Sequence, residues 1–122
     1  MSSPQFQHIG MSMVDDVALV EILTKDPHGP KLAEELGDEL ALVIVQEWAK
    51  RLLVDFRRVN FLSSTGFASL FKLVSDAKAA GREVKFCNMA PAVRLGADVA
   101  GLDRVVEIHE SEGSALRAYS QP

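Results

Sequence analysis

Three short apolar runs, RLLVDF, EVKFCN and RVVEIH, alternate with segments whose apolar residues recur at three- and four-residue steps. This alternation constrains the fold more than any other feature of the chain. Strands joined by a helical crossover pair in parallel within one sheet, because a crossover carries the chain back to the end from which it started. The N-terminal part reads differently. FQHIGMSMV and VALVEIL are two β-prone runs separated only by Asp15 and Asp16, a spacing that predicts a tight turn and a hairpin. The expected class is α/β: a mixed sheet of about five strands with about four helices, an N-terminal hairpin first and then alternating helix and strand.

The helical segments can be placed by their stripes and punctuation. After a loop at TKDPHGP, Leu32, Leu36, Leu40, Val43 and Ile44 form the apolar stripe of a first helix, expected from Pro30 to near Lys50. Phe67, Leu70, Phe71 and Val74 form the stripe of a second, with Gly81 as its stop. APAVRLGADVAG has a proline suited to a first turn and a glycine at its far end. SEGSALRAY reads as a terminal helix capped by Ser111 or Ser114. With 122 residues, 48% of them hydrophobic, the expectation is one domain spanning 1–122 with its core at about 6–119.

Charge and motifs exclude several classes of function. The net charge is -4 and the 13 Lys and Arg are scattered, so no basic stripe is available for nucleic acid. Cys87 is the single cysteine, which fits a reducing compartment. MSSPQFQH has neither a basic n-region nor an apolar h-region, and no apolar run approaches the roughly 20 residues that span a bilayer. A cytoplasmic protein without membrane insertion is expected. Ser69 with Lys72, and Ser75 with Lys78, have S-x-x-K spacing but no companion motifs, and surface positions are expected for them. His8, His28 and His109 have no metal-site spacing to one another or to Cys87. Glu34, Glu35, Asp38 and Glu39 read as a solvated helix face, and Trp48 as half-buried core or an interface anchor.

One constellation remains. NFLSSTGFASLFKLV, Asn60 to Val74, places Ser63, Ser64, Thr65 and Gly66 where a strand gives way to a helix. Ser63 is a good N-cap, and Ser64 and Thr65 are then first-turn residues, which is the purely structural reading. One cap needs one hydroxyl, however. In an open α/β sheet ligands and modifying enzymes meet the carboxyl ends of the strands, where a helix N-terminus favours an anion. A phosphate on Ser64 would add about -1.5 to -2 charges there and change what the surface presents. Gly66, without a side chain, would let a partner's backbone approach the turn.

LLVDFRRVNFLSSTGFASLFKL, followed by GREVKFCNMAPAVRLGADVAGLDRVVEIHESEGSALRAY, resembles the STAS domain of anti-sigma-factor antagonists. The most specific part is a strand ending in Asp55, then Val59, Phe61 and Leu62, then Ser64, Thr65 and Gly66 opening a helix. The resemblance implies that Ser64 is the phosphorylated serine, Thr65 the second hydroxyl and Gly66 the family glycine. Ser63 stands where the family has an aspartate, which keeps a cap and removes a charge that a kinase could read.

The implied function is a regulatory binding module, not an enzyme. It would dock through Ser63, Ser64, Thr65 and Gly66 on an anti-sigma factor or a serine protein kinase of the histidine-kinase-like ATPase fold, and be switched by phosphorylation at Ser64. Two alternatives stand beside it: a non-phosphorylated STAS scaffold subunit of a signalling or transport complex, and a small protein or enzyme holding an anionic ligand at the helix N-terminus. The last is chemically poor, since the turn supplies no histidine and Asp55 is its only nearby carboxylate. No catalytic turnover, metal or organic cofactor is expected, because the chain lacks clustered acid, base and nucleophile candidates, and serine needs an adjacent base to act as a nucleophile.

Overall fold

The computed structural model describes residues 6–25 and 30–121. Most of the loop read at TKDPHGP, with His28, lies outside the described residues. The hairpin is β1 (Ile9–Val14) and β2 (Val17–Ile22), antiparallel, with Val14 opposite Val17. Asp15 takes a φ of 56° in its turn, a left-handed conformation that aspartate tolerates better than most residues. Then come α1 (Pro30–Ile44), β3 (Arg51–Asp55), α2 (Ser64–Ala79), β4 (Glu83–Cys87), α3 (Pro91–Ala100), β5 (Glu107–His109) and α4 (Glu112–Ser120). The strands lie side by side in chain order, β1-β2-β3-β4-β5, and β2 to β5 are parallel.

Alternation along each strand divides the core into two layers. Val20, Ile22, Leu52, Val54, Phe56 and Phe86 face α1, α2 and α3. Val17, Leu53 and Cys87 face α4, from which Ala115 and Tyr119 project. Tyr119 donates its hydroxyl to Leu52 O at 2.5 Å, and burial pushes its phenol well above the ordinary range. The three crossover helices therefore share one face of the sheet, and the last helix seals the other.

Two expected boundaries move, and one helix stripe turns. The first helix stops at Ile44 rather than near Lys50, because Arg82 donates to Ile44 O at 3.1 Å and to Gln46 O at 3.1 Å, which holds the chain in turns before β3. The strand at RVVEIH shortens to Glu107–His109, since Leu102–Arg104 form a 3-10 turn that sends Val106 into the core. The stripe of α2 is rotated: Leu70, Leu73, Val74 and Ala77 are buried, while Phe67 and Phe71 are half-buried. Phe67 leans on α3 at Gly96, where a Cβ would meet its ring at 2.9 Å. Gly81, at φ 73°, follows the second helix, Gly101 is the left-handed cap of α3, and Ser111, not Ser114, caps α4.

Candidate functional site

The turn that follows β3 is built by its apolar residues. Val59 and Leu62 are buried, Phe61 between them is 51% exposed, and Val59 N donates to Phe56 O at 2.9 Å. That sequence of contacts delivers Ser63 to the N-cap with an extended backbone, φ -74° and ψ 167°. Its Oγ accepts from Gly66 N at 3.1 Å, and its carbonyl accepts from Phe67 N at 2.9 Å. Ser63 alone therefore does the capping. Ser64 and Thr65 are exposed on the first turn, where backbone N–H groups have no intrahelical partner and the helix dipole is positive.

Gly66 sits differently from the expectation. It is buried, and a Cβ on it would stand 2.6 Å from Leu62 Cδ1 and 3.0 Å from Leu62 Cγ. The missing side chain makes room for Leu62, so the space reserved for a partner's backbone is filled by the chain itself. The surface left at the turn includes the hydroxyls of Ser64 and Thr65 and the exposed ring of Phe61, with Arg57, Arg58 and Asn60 exposed earlier in the same turn. Thr65 also borders a groove of about 500 Å³ between α1 and α2, edged by Glu34, Asp38, Lys72 and Asp76.

Asp55 ends β3 but does not join this surface. It is fully buried, and its Oδ1 accepts from Arg57 N at 2.9 Å and from Asn88 Nδ2 at 3.1 Å, tying the β3–α2 turn to the β4–α3 turn. Asn88 takes a left-handed φ of 62° to make that contact. The parallel register sets Glu21 beside Asp55 and Asp55 beside Cys87. Glu21 accepts from Arg57, with Arg58 Nε 3.2 Å from its other oxygen. The Arg57 hydrogen bond is the main cause that holds the Glu21 carboxyl below its usual range. Sequence spacing concealed this carboxylate–arginine cluster, because Glu21 and Asp55 meet only once the strands are in register.

The remaining candidates resolve as surface or packing. Ser69 Oγ lies 3.2 Å from Thr65 O and 3.3 Å from Ala33 O, and Lys72 is paired with Asp76 at 2.7 Å. Ser75 and Lys78 are exposed. Cys87 is buried, which pushes its thiol up to about 12 and leaves it protonated at neutral pH. Glu34 and Asp38 are solvated, whereas Glu39 Oε1 accepts from His8 N at 2.9 Å and Glu35 Oε2 lies 3.1 Å from His8 Nε2. Part of the acidic face thus anchors α1 to the start of the hairpin. Among the described residues, no three His, Cys, Asp or Glu side chains converge as a metal set, and no helix is long and apolar enough to cross a membrane.

Comparison with known proteins agrees with this architecture. Residues 31–115 match the family model described as STAS domain. An anti-sigma factor antagonist from Mycobacterium paratuberculosis superposes with a TM-score of 0.75 at 23% identity, over 90% of this chain and 91% of that one. The Bacillus cell fate determinant SpoIIAA in its phosphorylated form superposes with a TM-score of 0.67 at 17% identity, over 91% of this chain and 98% of that one. A sulfate transporter family protein from Wolinella succinogenes superposes with a TM-score of 0.72 at 16% identity, over 88% of this chain and 87% of that one.

Proposed function

The chain belongs to the STAS domain family, and on that footing we propose that it is a cytoplasmic regulatory module, without catalysis of its own, that binds an anti-sigma factor or serine protein kinase and is switched by phosphorylation at Ser64. The observation that carries this reading is the division of labour at the turn. Ser63 is committed to the cap, while Ser64 is exposed and available to a modifying enzyme. A phosphate there gains from the helix N-terminus and places a dianion on the surface beside Thr65 and Phe61. In a desolvated contact that charge costs several kcal/mol unless cations meet it, which is enough to release a partner.

The partner would be a kinase of the histidine-kinase-like ATPase fold that modifies Ser64 and is bound by the unmodified chain. Fold likeness to an anti-sigma factor antagonist and to a phosphorylated SpoIIAA supports this partner class. A second reading, a non-phosphorylated scaffold subunit, is favoured by Ser63 in the family's aspartate position and by the likeness to a sulfate transporter family protein.

The test is incubation with ATP alone, and with ATP and the host's soluble serine kinases, followed by phosphosite mapping. The switch reading expects phosphate on Ser64 only when kinase is present. Phosphate mainly on Thr65 would defeat the residue assignment. Phosphate without kinase would favour an enzyme, and no phosphate under any condition would favour the scaffold.

A further inference from the structure

The two edges of the sheet are protected differently. β5 is 3 residues long, and its Glu107 pairs with Lys85 at 2.7 Å and with His109 at 3.0 Å, so charge guards that edge. β1 is 6 residues long and reads IGMSMV, with no charge and no proline. An edge of that kind presents unpaired backbone donors and acceptors to any strand that comes alongside.

The register identifies those groups. Val14 and Val17 flank the two-residue turn, and Leu23 N donates to His8 O at 2.8 Å. Both contacts put Gly10, Ser12 and Val14 in the hydrogen-bonded pairs with β2, so the N–H and C=O of Ile9, Met11 and Met13 point to the edge that no other described strand covers. Met11, Ser12, Met13 and Trp48 line a hollow of about 310 Å³ along it, and Met13 is 49% exposed.

We propose that β1 is the contact strand of a symmetric homodimer, in which β1 of a second copy pairs with it antiparallel about Met11. Ile9 then opposes the partner's Met13, and Met11 opposes the partner's Met11. The outward groups close the seam with up to about six hydrogen bonds and join two five-stranded sheets into one. A two-fold contact requires a strand complementary to itself, and this register supplies one. It keeps the acidic turns of the two copies at opposite ends of the seam and sets Asp15 against the exposed Gln7 of the partner, whose amide can donate to a carboxylate. Parallel pairing would bring the two Asp15-Asp16 turns together. β2 separates β1 from β3, so the seam is distinct from the Ser63–Gly66 turn and does not depend on phosphorylation.

Light scattering with sedimentation at about 100 μM chain tests the contact, since dimerisation follows mass action. The full chain should have twice the 13.3 kDa of one copy. Met11→Lys and Met11→Glu each place like charges directly opposite on the axis, and each should run as one copy with an unchanged far-UV spectrum. An equimolar mixture of the two should recover the doubled mass. Met11→Pro, which deletes an outward N–H and spares the β1–β2 bonds, should also be monomeric. A monomeric parent chain, variants that stay dimeric, or a charge-swapped mixture that stays monomeric would each overturn the proposal.

Discussion

Leu62 lies so close over Gly66 that a Cβ on residue 66 would stand 2.6 Å from its Cδ1 and 3.0 Å from its Cγ. A methyl rotation cannot relieve the second of these contacts. Leu62 is buried, so moving the whole side chain aside sacrifices apolar burial worth about 1–2 kcal/mol. Alanine ordinarily gains up to about 1 kcal/mol over glycine inside a helix, and here the steric cost outweighs that gain. Gly66→Ala is expected to lower stability by about 1–2 kcal/mol in the parent and to be neutral or stabilising beside Leu62→Ala. Urea unfolding of the four proteins measures that coupling, and equal costs in both backgrounds would place the strain elsewhere.

The cap and the switch residue should separate cleanly by substitution. Ser63→Ala removes the acceptor for Gly66 N and should cost about 1 kcal/mol, while Ser63→Asp keeps it. Ser64→Ala leaves the cap intact and should change stability by less than about 0.5 kcal/mol. In partner binding the order reverses. Ser64→Ala should bind the partner permanently and Ser64→Asp weakly, with Ser63→Ala much closer to the parent than Ser64→Asp. Calorimetric titration against the cognate kinase checks both, and equal affinities of Ser64→Ala and Ser64→Asp would support the scaffold reading.

The hydroxyl cluster was legible in the sequence because a helix N-cap is a local event: an oxygen at Ser63 needs only the N–H three residues later. The alternation of strands and helices was legible for a similar reason, since each stripe reports its own element. What the sequence concealed depends on distant residues. Arg82 ends the first helix from 38 positions away, and His8 engages Glu39 from 31. Gly66 is a local exception: Leu62 is near it in the sequence, but the spacing alone does not show that the turn folds that side chain back over the glycine. The pairing of Glu21 with Asp55 depends on strand register, which periodicity alone does not set.

Asp55 ties two turns together, and that role can be tested apart from phosphorylation. Its Oδ1, on a fully buried side chain, is the acceptor for both Arg57 N and Asn88 Nδ2 in part-buried hydrogen bonds. Asp55→Ala leaves those donors without an acceptor, and a loss of about 2–4 kcal/mol is expected. Asp55→Asn keeps an oxygen there and should cost less. The comparison is made by urea unfolding at pH 7, and equal losses for the two variants would show that the carboxylate charge, not the acceptor, matters.

Glu21 should give the protein a measurable acid sensitivity. Its carboxyl is held below the ordinary glutamate value of 4.5 chiefly by the hydrogen bond from Arg57, with Arg58 adding to the effect and burial opposing it. A group whose folded-state pKa is depressed stabilises the fold fully above its unfolded value and loses that contribution as pH falls through the folded one. The stabilisation is therefore fully present at pH 7, begins to fall below about pH 4.5, and is gone only once the pH lies below the lowered folded-state value. Glu21→Gln keeps the shape and removes the charge, so it should melt below the parent at neutral pH and converge with it in acid. Glu107, lowered by Lys85 and His109, follows the same sign in both proteins and cancels in the difference. Thermal melts from pH 7 down to about pH 3 measure the gap directly. A difference that stays constant over that range would mean that Glu21 contributes through packing rather than through its ion pair with Arg57.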